Sequence, residues 1–336
     1  MPAASAPPRP LLKWAGGKRQ LIPAIGRHYP AHFTRYVEPF LGSGAVFFDL
    51  LAAGRLDGQK VRLADLNPDL IGCYRTLRDQ TDAVIDALSR LEREHRKAGD
   101  ACYYDVRDRR FNPQRAAQAC GATAERATLA TEYSPELAAM LIFLNRTGFN
   151  GLFRLNRRGG FNVPAGRYTE PKICDADHLW AVAAAFRRPK LSLELAGFET
   201  TVGEAGPGDF VYCDPPYAPL SKTASFANYT ADGFGAEDQA RLAQAVMAAG
   251  TRGASVVVSN SSAPDILDLY SSPRARAAGL VVRLVPARRA INSRSTARGP
   301  INEVIVTNVR PELERLRPPM LRARSPLSPR RVSGVR

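Results

Sequence analysis

Short apolar runs that each stop on a glycine, a carboxylate or a proline pair recur along this chain, and they restrict its fold more than any other feature. "RYVEPF" runs into a loop holding Gly42 and Gly44, "KVRLADLNPDL" reaches Asp65, and "GDFVYCDPPY" stops at Asp214. "ASVVVSN" is a fourth run. "AGLVVRLVP" and "NEVIVTNV" are two more, joined by the basic stretch "ARRAINSRSTARGPI". Runs of this length, rich in branched side chains and bounded by turn residues, read as buried strands. Between the third and fourth, "GAEDQARLAQAVMAAG" has acids at its start and glycine at its end, as a crossover helix should. Strands alternating with helices predict an α/β, doubly wound sheet covered on both faces.

One region breaks this rhythm. From Cys73 to Thr169 the pattern is mainly helical and then turns rich in Gly, Asn and Arg, so it reads as an insertion between the second and third runs. Within it "QRAAQACGATAERATLATEYSPE" is alanine-rich and poorly patterned, and is expected to form a mobile loop. Residues 1–10 read as a disordered lead and residues 311–336 as a disordered basic tail.

The net charge of +15, from 47 Lys+Arg against 32 Asp+Glu, argues for a polyanionic partner, with nucleic acid the default. The tail from Arg310 holds eight Arg and two Glu, a local +6, which leaves +9 on the body. No stretch reaches the ~20 apolar residues that span a bilayer, and "MPAASAPPRP" lacks the apolar core of a secretory signal. No membrane contact is expected. The five cysteines lack metal-ligand spacing and read as reduced thiols, and the four histidines gather into no cluster. No metal is expected.

Four constellations carry chemistry. In "EPFLGSGAVFFDL" the spacing Gly42-x-Gly44 lets backbone approach a ligand, and Asp65 ends the next strand, where a carboxylate can accept from two ribose hydroxyls. Together they describe a pocket for an adenosine-bearing cofactor without saying which one. "KWAGGKRQL" places Lys13, Trp14 and Lys18 around two glycines; it reads equally as a surface basic loop or as a grip on an amino-acid cofactor. In "VYCDPPYAPL" Asp214 follows a strand, Pro215 and Pro216 stiffen the backbone, and Tyr217 offers a flat face. An acceptor, a rigid carbonyl and an aromatic plane suit the exocyclic amine of a planar base. Finally, residues 145–169 hold five arginines and no acid, with aromatics interleaved, which reads as a nucleic-acid surface.

With "KWAGGK", "EPFLGSGAVF", "LADLNPDLI", "LNRTGFNGLFRLNRRGGFNVPAGRY" and "VYCDPPYAPLS" in that order, the chain resembles the DNA adenine methyltransferase (Dam) family, the alpha-ordered N6-adenine enzymes, from about Leu12 to Val309. The resemblance implies a Rossmann-like sheet built from 11–72 and 170–310, binding S-adenosylmethionine (AdoMet), with 73–169 as a target-recognition insertion. It implies methyl transfer to adenine in duplex DNA, with GATC the site of the best-known members. Trp14, Lys18, Phe40, Gly42, Gly44, Asp65 and Asp214 fall at cofactor-binding positions. Asp214, Pro215, Pro216 and Tyr217 form the catalytic motif. Lys13, Phe149, Asn150, Leu152, Arg154 and Arg167 match DNA-binding positions, with phenylalanine at 149 where tyrosine is common. A monomeric, cytoplasmic enzyme of bacterial or phage origin is expected. Action on cytosine N4 or on RNA adenine, and a non-catalytic DNA-binding regulator on the same scaffold, remain the alternatives.

Overall fold

The computed structural model describes residues 7–14, 16–121, 133–218, 234–288 and 300–311. All six apolar runs form strands: β1 (Arg35–Glu38), β2 (Lys60–Asp65), β4 (Asp209–Cys213), β5 (Ser255–Ser261), β6 (Val281–Arg288) and β7 (Pro300–Thr307). A seventh, β3 (Leu191–Leu195), was not evident in the sequence. "LSLEL" alternates apolar and polar residues and pairs with β2 at the sheet edge, so it is only partly buried and lacks the continuous apolar signature of its neighbours.

The sheet order is β3-β2-β1-β4-β5-β7-β6. β3 to β5 run parallel through β2, β1 and β4, and β7 is antiparallel to both β5 and β6. Side-chain alternation sends residues to opposite faces. Tyr36, Leu63, Phe210, Tyr212 and Val257 enter one buried cluster, while Val37, Val211, Cys213, Val256 and Val258 enter the other. The second face is covered by Ala236–Thr251, the crossover helix read from sequence, and by Pro264–Tyr270.

The first face is covered by Ala45–Ala52 and by the long helical excursion between β2 and β3. That excursion begins at Pro68–Asp79, where Asn67 caps the helix by accepting from the Leu70 N–H at 3.2 Å and Pro68 occupies the first helical position. Thr81–Ala98 and Pro135–Thr147 follow, the latter buried on almost every side and capped by Ser134. These helices share one continuous apolar cluster with the sheet. The alanine-rich stretch differs from expectation: residues 114–121 lie in the helix Asn112–Gly121, in keeping with the helix propensity of alanine. Residues 122–132 lie outside the described residues, as do 1–6 of the lead, 289–299 of the basic stretch and 312–336 of the tail.

Phe186, at the end of helix Ala176–Phe186, keys the first face together. It stacks on Phe47 at 5.7 Å and 11°, and also meets Phe48 and Tyr74. Phe186→Ala should therefore destabilise the fold by about 3–5 kcal/mol, read as a lower urea midpoint with an unchanged slope.

Candidate active site

β1 and β4 are adjacent and parallel, with Val37 opposite Val211. The chain leaving β1 builds the sheet in one direction through β2 and β3, and the chain leaving β4 builds it in the other. At such a reversal the carboxyl ends of two neighbouring strands open into a crevice. A cavity of about 410 Å³ lies there, lined by the segments after both strands and by Trp14 and Lys18 from the N-terminal segment.

The segment after β1 forms one wall. Gly42 and Gly44 adopt φ of 47° and 70°, the left-handed region that costs most residues energy. The Gly42 N–H donates to Asp65 Oδ2 at 3.0 Å, and the Asn67 N–H donates to Oδ1 at 2.9 Å. The Leu66 N–H also bears on this carboxylate, and part of its acceptor capacity remains for a ligand. Burial pushes the Asp65 carboxyl up to about 6, against the pull of these backbone donors. Phe40 stacks on Phe198 and meets Phe234 edge-on, so three rings line the cavity beyond the glycines.

The segment after β4 forms the other wall. Asp214 accepts from the Lys18 ammonium at 2.8 Å and from the Ser259 hydroxyl at 2.9 Å, both on Oδ1. Tyr212 contacts the same Ser259 hydroxyl at 2.9 Å. Burial raises the Asp214 carboxyl above its ordinary value, and Lys18 and Ser259 draw it back. The Lys18 ammonium, which also donates to the Gly16 carbonyl, lies 4.4 Å from the centre of the Tyr217 ring. The Tyr217 hydroxyl donates to Glu303 Oε2 at 2.6 Å. The Pro216 carbonyl accepts from Gln239 at 2.8 Å, and Asn260 bonds Gln239 in turn. Ser261 donates to the Ala218 carbonyl at 2.7 Å. Sequence reasoning missed Ser259, Gln239, Asn260 and Glu303. One signal was available: "SNS" after "VVV" puts three polar residues where β5 is still buried.

The arginine-rich segment folds back on itself as a hairpin, with Phe149 N–H donating to Pro164 O and Asn162 N–H to Arg154 O. Phe149, Asn150, Arg154 and Arg167 are exposed, whereas Leu152 is half-buried against the core. Asn150 has φ of 53°. Arg154 donates through Nε to Asn162 Oδ1 at 2.8 Å. Lys13 joins the hairpin: its backbone N–H donates to Asn145 Oδ1, its carbonyl accepts from Asn145 Nδ2, and its ammonium sits 4.3 Å from the Tyr168 ring centre. Trp14 stacks on Phe153 at 5.6 Å and lines the cavity, so hairpin and cavity share one side chain.

A family profile described as "D12 class N6 adenine-specific DNA methyltransferase" matches residues 14–283. This chain belongs to that family. The D12-class chain is 37% identical over 302 residues to the type II methyltransferase M1.LlaDCHI of Lactococcus lactis subsp. cremoris, covering 89% of this chain and 95% of that protein. It is 35% identical to the DNA adenine methylase of Vibrio cholerae, covering 88% and 95%. It is 33% identical to the DNA adenine methylase of Escherichia coli, covering 88% and 94%. The D12-class sheet is therefore that of an adenine-specific DNA methyltransferase, and DNA is its substrate class. Among the described residues no helix is long and apolar enough to cross a membrane.

A Cβ built on Gly42 would meet Trp14 Cδ1 at 3.0 Å in a backbone conformation that already disfavours alanine. Gly42→Ala should lower stability by about 1–2 kcal/mol and shift the Trp14 ring off Phe153. Denaturant unfolding followed by tryptophan fluorescence checks both effects.

Proposed function

We propose that this enzyme transfers a methyl group from AdoMet to N6 of an adenine flipped out of duplex DNA, within GATC. One observation carries the reading: the Lys18 ammonium rests on Asp214 while lying over the Tyr217 ring. An amine held between a carboxylate and an aromatic face is the arrangement that the exocyclic amine of a stacked base needs. Lys18 fills that place in the free protein, and an entering adenine displaces it.

The residues on the other side of the cavity fit AdoMet. Asp65 keeps acceptor capacity for a ribose hydroxyl, Gly42 and Ser43 line the cavity while Gly44 turns toward Leu41 and Phe48, and Phe40, Phe198 and Phe234 offer an apolar slot for a purine. A volume of about 410 Å³ lies within the range of small-molecule pockets. When bound, AdoMet supplies a methyl carbon made electrophilic by its sulfonium.

The chain's own work is positioning and electrostatics. An aromatic amine is a poor nucleophile because its lone pair is delocalised into the ring. Asp214 accepts one N6 hydrogen and the Pro215 carbonyl is the candidate acceptor for the other, which favours rehybridisation and frees the lone pair. Asp214 then faces the positive charge that grows on N6 and is the nearby base for the proton that N6 must lose, and Ser259 keeps its oxygen in place. The hairpin meets the DNA: Phe149 and Asn150 enter the duplex where the base leaves, Leu152, Arg154 and Lys13 read neighbouring bases, and Arg167 adds charge to the same surface. Flipping is required because N6 inside a stacked pair cannot reach Asp214.

The deciding experiment incubates the enzyme with methyl-labelled AdoMet and duplexes that contain or lack GATC, then identifies the labelled nucleoside. Label in N6-methyladenine from GATC duplexes is expected, and Asp214→Ala should slow transfer by about 100- to 1,000-fold or more. Label in cytosine, or in an RNA counterpart, would move the reading to the alternative amine substrates. DNA binding without any transfer would favour the regulator.

A pH dependence follows from Asp65. Its carboxyl titrates at about 6 in the free protein, and ribose hydroxyls donate to the ionised form. AdoMet binding should therefore be at full strength above that value and weaken as pH falls through it, by up to about tenfold per unit. Equilibrium binding between about pH 5 and 7 should show this slope in the wild type and a clearly shallower one in Asp65→Asn.

A further inference from the structure

We propose that Glu303 is a positioning residue for this reaction: through the Tyr217 hydroxyl it fixes the ring plane on which the target base lies and enriches that ring in electron density. The inference rests on the methyl-transfer reading above. Glu303 lies on β7, opposite Ser261 of β5 and Val285 of β6. Its Oε2 accepts from Tyr217 at 2.6 Å, within the range of a charge-assisted O–H···O⁻ bond.

The turn after β4 is gripped in two ways. Gln239 holds the Pro216 carbonyl, Asn260 accepts from the Ala218 N–H, and Ser261 holds the Ala218 carbonyl. These contacts fix the backbone but leave the torsions of the Tyr217 side chain free. Glu303 takes hold of the hydroxyl at the far end, which fixes the swing of the ring, and the preference of a phenolic O–H for the ring plane favours one tilt about the ring axis. A stacked base inherits that tilt, and with it the direction of the N6 lone pair.

The second effect is electronic. A phenol donating to a carboxylate carries more negative charge than one donating to water, and its face attracts cations more strongly. The Lys18 ammonium already lies against that face. During methyl transfer the base itself becomes cationic, and it lies against the same ring. Glu303 thus acts on the transition state more than on the bound substrate. Its position explains why a carboxylate is placed within the field of Asp214, whose proton affinity it raises.

The test is single-turnover methyl transfer to the duplex that the wild type modifies, with AdoMet and DNA affinities measured alongside. Glu303→Gln keeps a hydrogen-bond acceptor but removes the charge. It should transfer methyl about 10- to 100-fold more slowly, with both dissociation constants within about twofold of wild type. Tyr217→Phe should show a comparable loss, and the double variant should be no slower than the slower single variant, because both changes act through the one Tyr217–Glu303 contact. A Glu303→Gln rate within twofold of wild type overturns the proposal, as does a double variant whose losses multiply. A fall in affinity and melting temperature that accounts for the rate assigns Glu303 to β7 packing and also overturns it. If Glu303→Gln fails to fold, Tyr217→Phe breaks the same bond from the other end, and a normal rate for it decides against the proposal. Absence of transfer by the wild type would instead remove the methyl-transfer reading itself.

Discussion

Side-by-side pairing of β1 with β4 governs everything that the cavity contains. Each strand is parallel to the other, yet their chains depart toward opposite edges of the sheet. Among the described residues no crossover covers the gap, and two backbone segments with different chemistry face each other across it. After β1 come glycines that leave room, and after β4 come prolines that hold shape. The antiparallel β7, inserted between β5 and β6, brings Glu303 to the same end of the sheet.

Among the described residues, Lys18 is the cation that meets a strand-end carboxylate inside the crevice. Asp214, Glu38 and Asp65 are carboxylates at the ends of β4, β1 and β2, and burial raises the proton affinity of each. Lys18 is buried with 4% of its surface exposed and answers one of the three. Glu38 is answered by the Tyr36 hydroxyl, and Asp65 by backbone N–H groups. Desolvating an ammonium beside a carboxylate is unfavourable unless the geometry is close, and moving Lys18 off Asp214 leaves the carboxylate seeking another donor. That is the thermodynamic invitation to a substrate amine in the proposed reaction.

Much of the sheet was legible in the sequence because β1, β2, β4, β5 and β7 are largely buried and so appear as apolar runs, while β6, an exposed edge strand, is still rich in Val and Leu. β3 was not, because Ser192 and Glu194 interrupt its apolar residues and no continuous run forms. The glycine loop, Asp65 and Asp214 were legible because each sits at a strand end, where sequence order and spatial order coincide. Ser259, Gln239 and Glu303 were not, because they reach the site from elements 45, 23 and 86 residues away from the atoms they bond. A polar residue on a strand or helix carries no local mark of what it will touch. The helix at Asn112–Gly121 was read as loop because alanine supplies propensity without a periodic pattern.

The hairpin is held from outside itself. Asn112 bonds both the carbonyl and the N–H of Phe161, Tyr103 and Arg107 hold the Val163 carbonyl, and Asn145 holds the Gly151 carbonyl. Those bonds fall on main-chain atoms, which every sequence provides. Side chains at the exposed positions 149, 157 and 158 can therefore change without breaking these bonds, whereas Arg154 also braces the loop through Asn162. A scaffold of this kind separates the inheritance of shape from the inheritance of preference: new readings of a surface can arise by drift while the frame beneath stays the same.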